Sequence, residues 1–111
     1  MLQSSIPTPI QPLLDELKAA LKGLYGDNLI QLVLFGSYAR QSAHPDSDID
    51  ILLILQDPVS PGDEIFRMST IKTELNLKYD QMLSIIPIAY SQYQLRSTPF
   101  LQNIDGDGIP L

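Results

Sequence analysis

The sequence predicts an α/β (α+β) domain in which helices flank a small mixed β-sheet. Three short segments, residues 29–35, 48–55 and 81–89, are apolar at nearly every position. Such runs indicate strands that are buried on both faces of a sheet. Segments with helical spacing of apolar residues lie before the first strand and between the second and third strands. Helices placed in this order pack on the faces of the sheet, which gives this fold class.

The first predicted helix lies close to the N-terminus. The letters TPIQ at residues 8–11 are typical of a helix start, with Thr as the cap, Pro first and Gln three residues after the cap. Gly23 and Gly26 are both candidate ends of this helix. Residues 1–8 are predicted to form a loose arm. The apolar stripe of the helix consists of Leu13, Leu14, Leu17, Leu21 and Leu24.

The remaining elements follow the same rules. Residues 63–77 carry apolar side chains at helical spacing and predict a second helix. Pro87 places the third strand at an edge of the sheet, or marks the end of the strand, because proline cannot donate to a ladder. The chain after Tyr90 predicts a short helix near residues 100–104. A turn at residues 105–108 (DGDG) and a short tail follow it.

Composition indicates one folded domain, residues 1–111, with 44% hydrophobic and 18% charged residues. The chain contains no cysteine, so disulfides and thiolate metal sites are excluded. The apolar runs are too short to span a bilayer, and the N-terminus lacks the pattern of a secretory signal. These observations predict a soluble, cytoplasmic protein without a membrane partner.

The formal net charge of −6 disfavours direct binding of nucleic acid. Such binding depends on clustered Lys and Arg that displace counterions from phosphates. The basic residues of this chain are instead scattered singly. An acidic surface suits a basic protein partner, or serves solubility alone.

One segment combines three features that point to chemistry. The first buried strand ends abruptly at Gly36 and Ser37. Ten residues separate Ser37 from Asp48. Asp48 and Asp50 then stand two residues apart at the start of the second buried strand, so both carboxylates project from the same face.

The combination predicts a site for phosphoryl or nucleotidyl transfer. Neighbouring carboxylates repel unless a cation lies between them, and hard oxygen ligands of this kind suit Mg²⁺. Gly36 lacks a Cβ, so the backbone can approach a phosphate closely. Ser37 offers a hydroxyl and a backbone N–H to an anion, and a helical turn beginning after Ser37 would add further donors. A phosphate cradle facing a metal-binding pair fits this chemistry.

The pattern Gly36-Ser37, ten residues, Asp48-Ile49-Asp50 resembles the signature of the DNA polymerase β-like nucleotidyltransferase superfamily. The flanking strands, Ser47 and the closing segment PFLQNIDGDGIPL are also similar to minimal members of that superfamily. Relatives carry a third carboxylate on the following strand, and Asp80 stands at the matching place. Many relatives have Gly five positions after the motif glycine, where this chain has Gln41.

The resemblance implies a role for each motif residue. Asp48 and Asp50 would ligate two Mg²⁺ ions that bridge the triphosphate of ATP and the attacking oxygen. Asp80 would hold the acceptor-side metal ion or accept the acceptor's proton.

The resemblance also implies a phosphate-binding set. Gly36 and Ser37 would bind the β- and γ-phosphates, and Arg40 would contact a phosphate. Pyrophosphate would be the leaving group.

Other residues have simpler interpretations. His44, the single histidine, lies in a polar loop and is interpreted as a solvated residue. The DGDG segment lacks the remaining ligands of a calcium loop and is interpreted as a turn. Tyr90 and Tyr93 are either partner contacts or ordinary packing residues.

The acceptor is predicted from the family resemblance and from the short length of the chain. The bare catalytic core is similar to minimal nucleotidyltransferase antitoxins, which pair with a HEPN-type toxin ribonuclease and transfer AMP to its tyrosine. Two alternatives remain open. The chain could be a binding module that neutralises a partner by masking it, or the catalytic subunit of a small-molecule nucleotidyltransferase completed by another chain.

Overall fold

The computed structural model describes residues 8–44, 46–96 and 98–111, and over these ranges it contains one four-stranded sheet with five α-helices. In chain order the elements are α1 (Gln11–Tyr25), β1 (Leu29–Phe35), β2 (Ile49–Leu55), α2 (Pro61–Arg67), α3 (Ser69–Tyr79), β3 (Leu83–Ala89), α4 (Tyr90–Leu95), α5 (Pro99–Asp107) and β4 (Ile109–Pro110). The predicted fold class is confirmed.

The sheet is mixed, with strand order β3-β2-β1-β4. β1 and β2 are antiparallel and are joined by the loop of residues 36–48. β2 and β3 are parallel, so the chain must cross between them, and α2 and α3 form that crossover. β4 pairs antiparallel with the other side of β1. Pro87 lies on the edge strand β3, as predicted.

The larger core lies between one face of the sheet and helices α1 and α3. Leu17 and Leu21 of α1 are fully buried there against Ile51 and Leu53 of β2. Leu75 of α3 joins the same cluster. Leu24, the last member of the predicted stripe, is 38% exposed and lies outside this core.

A smaller core covers the opposite face of the sheet. Leu101 and Ile104 of α5 pack there on Val33, Leu52 and Ile54. β2 therefore presents alternate side chains to two apolar layers, which explains its almost continuous run of buried residues. No polar side chain in the described ranges is buried, and no helix there is long and apolar enough to cross a membrane.

The start of α1 differs from the prediction. A 3₁₀ turn, Thr8–Ile10, comes first, and the helix begins at Gln11 with Ile10 in the cap position and no side-chain cap. Pro12 lies in the first turn, where its missing N–H would have no partner in any case. Gly26, with φ 55°, ends the helix. Apart from Thr8, the predicted N-terminal arm lies outside the described residues.

The crossover segment also differs from the prediction of one helix at residues 63–77. The helix breaks at Met68, whose φ of −95° and ψ of 6° are not helical, and the segment forms α2 and α3 instead. Met68 is only 2% exposed. Met68 is buried although it lies at the break, so the helical spacing of apolar residues gives no sign that one helix ends there and another begins.

The C-terminal segment departs furthest from the prediction. Helix α4 was not predicted, and α5 is longer than the predicted residues 100–104. The prediction of a turn at residues 105–108 is wrong, because its first three residues complete α5. Thr98 caps this helix by accepting a hydrogen bond from the N–H of Leu101 at 3.2 Å. The predicted tail contains β4, whose pairing partner β1 is remote in sequence.

Replacing Leu17 by Ala tests the larger core. We expect a loss of about 3 kcal/mol in the free energy of unfolding, because the substitution leaves a cavity at a fully buried site. Urea unfolding measures the loss. Leu95→Ala, at a side chain that is 75% exposed, is the matched control and should change stability by less than about 0.5 kcal/mol. Equal losses in both variants would contradict the assigned core.

Candidate active site

The pairing register of β1 and β2 brings the two halves of the motif into contact. Phe35 pairs with Asp50, so Gly36, the next residue, lies against the Asp50 side chain. A Cβ built on Gly36 would lie 2.2 Å from Asp50 Oδ2 and 3.3 Å from Asp50 Cβ. Gly36 also has φ of 76°, a conformation that other residues rarely adopt. Glycine is therefore required at this position by both space and backbone conformation.

A tight turn follows Gly36 and holds the backbone of Ser37. The N–H of Arg40 donates to the Gly36 carbonyl at 3.1 Å, and the N–H of Ser42 donates to the Ser37 carbonyl at 2.9 Å. Tyr38 is buried in the larger core and anchors the turn. The predicted helical turn is thus a single hydrogen-bonded turn and does not continue into an α-helix.

Gln41 adopts a left-handed backbone with φ of 59°. This conformation is the one that glycine favours. The loop therefore keeps a backbone suited to glycine at the position where many relatives carry glycine. Gln41 therefore changes the side chain at this position but not the left-handed backbone conformation of the loop.

The two carboxylates of the motif differ in environment. Asp48 is exposed and precedes β2, whereas Asp50 is half-buried within β2. Burial raises the pKa of Asp50, and the negative charge of Asp48 raises it further. The positive charge of Arg40 acts in the opposite direction and lowers the pKa of Asp50. Asp48, Asp50 and Arg40 therefore form one electrostatic unit.

The loop before Asp48 is held by local hydrogen bonds. The N–H of His44 donates to Ser47 Oγ at 3.0 Å, and the N–H of Ser47 donates to the His44 carbonyl at 2.9 Å. His44 is exposed, in agreement with its interpretation as a solvated loop residue. These bonds give Ser47 a structural role, because they fix the chain direction immediately before the carboxylates.

Asp80 lies in a turn before β3 and is not a residue of that strand. It caps the C-terminus of α3 in a left-handed conformation, with φ of 52°. The predicted strand at residues 81–89 begins at Leu83, which pairs with Ile49, and Ser84 pairs with Asp50. Within the described ranges no three His, Asp or Glu side chains are grouped as metal ligands, so Asp80 does not complete such a group with Asp48 and Asp50.

Asp80 instead lines an open groove of about 510 Å³ beside the motif. Asp46 and Ser47 form one side of the groove, and Leu77 and Met82 lie on the other side. Leu77 is 79% exposed and Met82 is 53% exposed. The groove thus combines the carboxylates of Asp46 and Asp80 with exposed apolar side chains.

A second cavity, of about 220 Å³, opens at Gly36. Arg40 lies at the same end, and residues of α5 form the opposite wall. The motif therefore has an opening towards α5 at Gly36, which contacts Asp50, and a separate groove towards the start of β3 that begins at Asp46 and Ser47.

The chain belongs to the nucleotidyltransferase family, because residues 14–98 match the family model described as Nucleotidyltransferase domain. It is therefore a nucleotidyltransferase enzyme. A relative from Methanocaldococcus jannaschii, named "Putative protein adenylyltransferase", is 29% identical over 97 residues. These residues are 87% of this chain and 93% of the relative.

Solved structures share the fold. A chain of a toxin–antitoxin complex with AMP-PNP has a TM-score of 0.60 at 21% identity, covering 86% of this chain and 69% of that chain. A chain from a complex of tri-AMPylated Shewanella oneidensis HEPN toxin with MNT antitoxin has a TM-score of 0.55 at 20% identity. This match covers 90% of this chain and 69% of that chain.

Reasoning from the sequence predicted some of the residues that line each opening and missed the others. Met82 was assigned to a strand interior, and the face of α5 that forms the cavity wall was not recognised. Phe100, Asn103 and Asp107 follow the helical spacing i, i+3, i+7, which was the available signal. The predicted helix ended at residue 104, so Asp107 fell outside the pattern.

Replacing Gly36 by Ala tests the contact between the turn and Asp50. The new Cβ would collide with the Asp50 carboxylate and force a strained backbone, so we expect a loss of about 1–3 kcal/mol in unfolding free energy. Urea unfolding measures it. Gly23→Ala is the control, because nothing lies within 4 Å of a Cβ there and φ is not positive. A loss no larger in Gly36→Ala than in the control would refute the contact.

Replacing Asp50 by Asn tests the electrostatic unit in metal-free protein. The pKa of Asp50 is higher in the folded state than its ordinary 3.8, so the folded state binds more protons and stability falls as pH rises through this window. Asn removes the charge, and we expect Tm to rise by a few degrees at pH 7. The gain should disappear below about pH 3.8.

Thermal unfolding at both pH values measures this gain. Asp27→Asn, at an exposed carboxylate in the turn before β1, is the matched control and should show no comparable gain. A lower Tm for Asp50→Asn at neutral pH would contradict the raised pKa.

Proposed function

We propose that the protein transfers AMP from ATP to a tyrosine of a HEPN-type toxin ribonuclease with which it forms a pair. One observation carries the proposal: the Asp50 carboxylate, on which the charge of Asp48 acts, lies against the tight turn at Gly36 in a chain of the nucleotidyltransferase family. The protein would thus act as an antitoxin that inactivates its partner by a covalent modification in the cytoplasm.

The turn supplies the binding site for the triphosphate in this proposal. Gly36 leaves the backbone open to a close approach, and Ser37 offers its N–H and hydroxyl to the β- and γ-phosphates. Arg40, which already acts on the charge of Asp50, would neutralise part of the phosphate charge. All three residues lie in one hydrogen-bonded turn, so they would bind the triphosphate together.

The carboxylate pair fits Mg²⁺ by its chemistry. Asp48 and Asp50 provide hard oxygen ligands. Burial raises the pKa of Asp50 most, and the charge of Asp48 raises it further, a repulsion that a divalent cation would relieve. When bound there, Mg²⁺ would stabilise the negative charge that develops on the phosphates during transfer. Asp48 and Asp50 are the residues that would hold it.

The proposed reaction is a displacement at the α-phosphorus of ATP. The acceptor oxygen forms a bond to this phosphorus, and the bond from the phosphorus to the α,β-bridging oxygen breaks. Pyrophosphate leaves with that electron pair. We assign Asp80, which lines the groove, as the residue that accepts the acceptor's hydroxyl proton.

The character of the groove favours a protein acceptor. Leu77 and Met82 expose apolar side chains beside Asp46 and Asp80, a surface that suits a protein segment with apolar and basic residues. The names of the relatives point the same way, since one is called a protein adenylyltransferase and others come from toxin–antitoxin complexes. The scattered basic residues argue against direct binding of nucleic acid.

Transfer of label from α-labelled ATP tests the proposal. In the presence of Mg²⁺ and the co-encoded HEPN-type protein, we expect label on a tyrosine of that protein. Asp48→Asn and Asp50→Asn should each lower the transfer rate by at least about 100-fold, because the metal-binding pair is broken. Asp27→Asn, an equal change of charge away from the motif, should retain the rate.

The two alternatives give different results in the same assay. Neutralisation of the partner that survives in the Asp48→Asn/Asp50→Asn double variant, without label, would replace our proposal by masking. Label on an antibiotic or metabolite, with none on protein, would show a small-molecule nucleotidyltransferase. Removal of Mg²⁺ with a chelator should abolish transfer by the wild-type protein.

A further inference from the structure

The cavity that opens at Gly36 has a wall of unusual composition for a phosphate site. Phe100, Asn103 and Asp107 lie on one face of α5 and line the cavity opposite Arg40. The ring of Phe100 is 42% exposed and meets Phe35 edge-on, with ring centroids 5.4 Å apart. An aromatic ring, an amide and a carboxylate therefore face the cavity side by side.

This wall is held firmly in place. Leu101 and Ile104 anchor α5 in the smaller core, and Thr98 caps its first turn. At the other end Gly108 packs so closely that a Cβ there would lie 2.6 Å from both the Ile104 carbonyl oxygen and Val33 Cγ1. The following strand β4 then pairs with β1. The C-terminal segment thus fixes the face of α5 at a defined position beside the motif.

The polar groups on this face are available to a ligand. The side chains of Asn103 and Asp107 make no hydrogen bond or ion pair with any residue in the described ranges. By contrast, the neighbouring Asp105 forms an ion pair with Arg96 at 3.0 Å and does not line the cavity. The helix therefore carries two exposed carboxylates, Asp105 and Asp107, and of these Asp107 lines the cavity.

We propose that this cavity binds the nucleoside half of the triphosphate, with the adenine base against Phe100 and Asn103 and a ribose hydroxyl donating to Asp107. The inference rests on the proposed function, since it takes ATP as the substrate. An asparagine amide can pair with adenine through N6 and N7, and a carboxylate is a common acceptor for ribose hydroxyls. Exposed aromatic rings favour stacking with a base.

Charge decides which half of the nucleotide enters. Asp107 would repel phosphate groups, whereas Arg40 and the turn at Gly36 attract them. The cavity begins at Gly36 and Arg40 and extends to Asp107, so the phosphates remain at the first end and the uncharged nucleoside points towards α5. The groove lined by Asp46, Ser47 and Asp80 stays open for the acceptor.

Binding measurements on the full chain test this assignment. Titration with Mg²⁺ and a non-hydrolysable ATP analogue is compared with titration by inorganic triphosphate. We expect Asn103→Leu and Asp107→Ala each to weaken the ATP analogue by about 5- to 10-fold, the value of one lost hydrogen bond. Neither variant should weaken inorganic triphosphate. Asp105→Ala, the same substitution on the same helix, should bind both ligands as the wild type does.

Two analogues sharpen the assignment of each residue. The wild type should prefer ATP over CTP, and Asn103→Leu should lose that preference. The wild type should bind 2′,3′-dideoxy-ATP more weakly than ATP, and Asp107→Ala should bind the two equally. Circular dichroism and Tm show that each variant is folded. Phe100→Leu keeps an apolar side chain against Phe35 but removes the ring, so it should weaken the ATP analogue and leave inorganic triphosphate unaffected.

The possible failures are distinguishable. If the variants bind the ATP analogue like the wild type while AMP transfer proceeds, the nucleoside lies elsewhere and this inference alone is overturned. Equal weakening of the ATP analogue and inorganic triphosphate would overturn it as well, because the residues would then act on phosphates. If the wild type binds no nucleotide, both this inference and the proposed function fail.

Discussion

The antiparallel register of β1 and β2 is the constraint on which the site depends. This register pairs Phe35 with Asp50 and thereby brings the tight turn at Gly36 onto the Asp50 carboxylate. A slip by one residue would turn Asp50 towards the opposite layer and separate it from the turn. The register is secured from both faces, because Ile51 and Leu53 enter the larger core while Leu52 enters the smaller one.

The same register imposes an electrostatic cost. It holds Asp50 half-buried near Asp48, and the raised pKa of Asp50 shows that the folded protein resists this arrangement. The surrounding core offsets the cost, since the buried side chains in the described ranges are all apolar. Functional sites in proteins are commonly less stable locally than the rest of the fold, and the unfavourable charge of Asp50 lies within the motif.

The C-terminal segment gives the motif its second wall. α5 packs on the face of the sheet from which Leu52 and Ile54 project, and β4 ties its end to β1. On the other side, the left-handed turn at Asp80 leads the chain from α3 into β3 and leaves a groove beside Ser47. The cavity and the groove share no lining residue, so they are two separate openings near the motif.

The sequence by itself determined the fold class, the three main strands, the first helix and the pairing of a Gly-Ser break with two carboxylates. These features depend on local periodicity, on glycine's conformational freedom and on the spacing of residues, all of which can be read along the chain. Tertiary structure alone decided the break at Met68, the extent of α5, the pairing of β4 and the position of Asp80 in a turn. Each of these depends on contacts between segments that are remote in sequence, and local patterns carry no information about which segment will supply the partner.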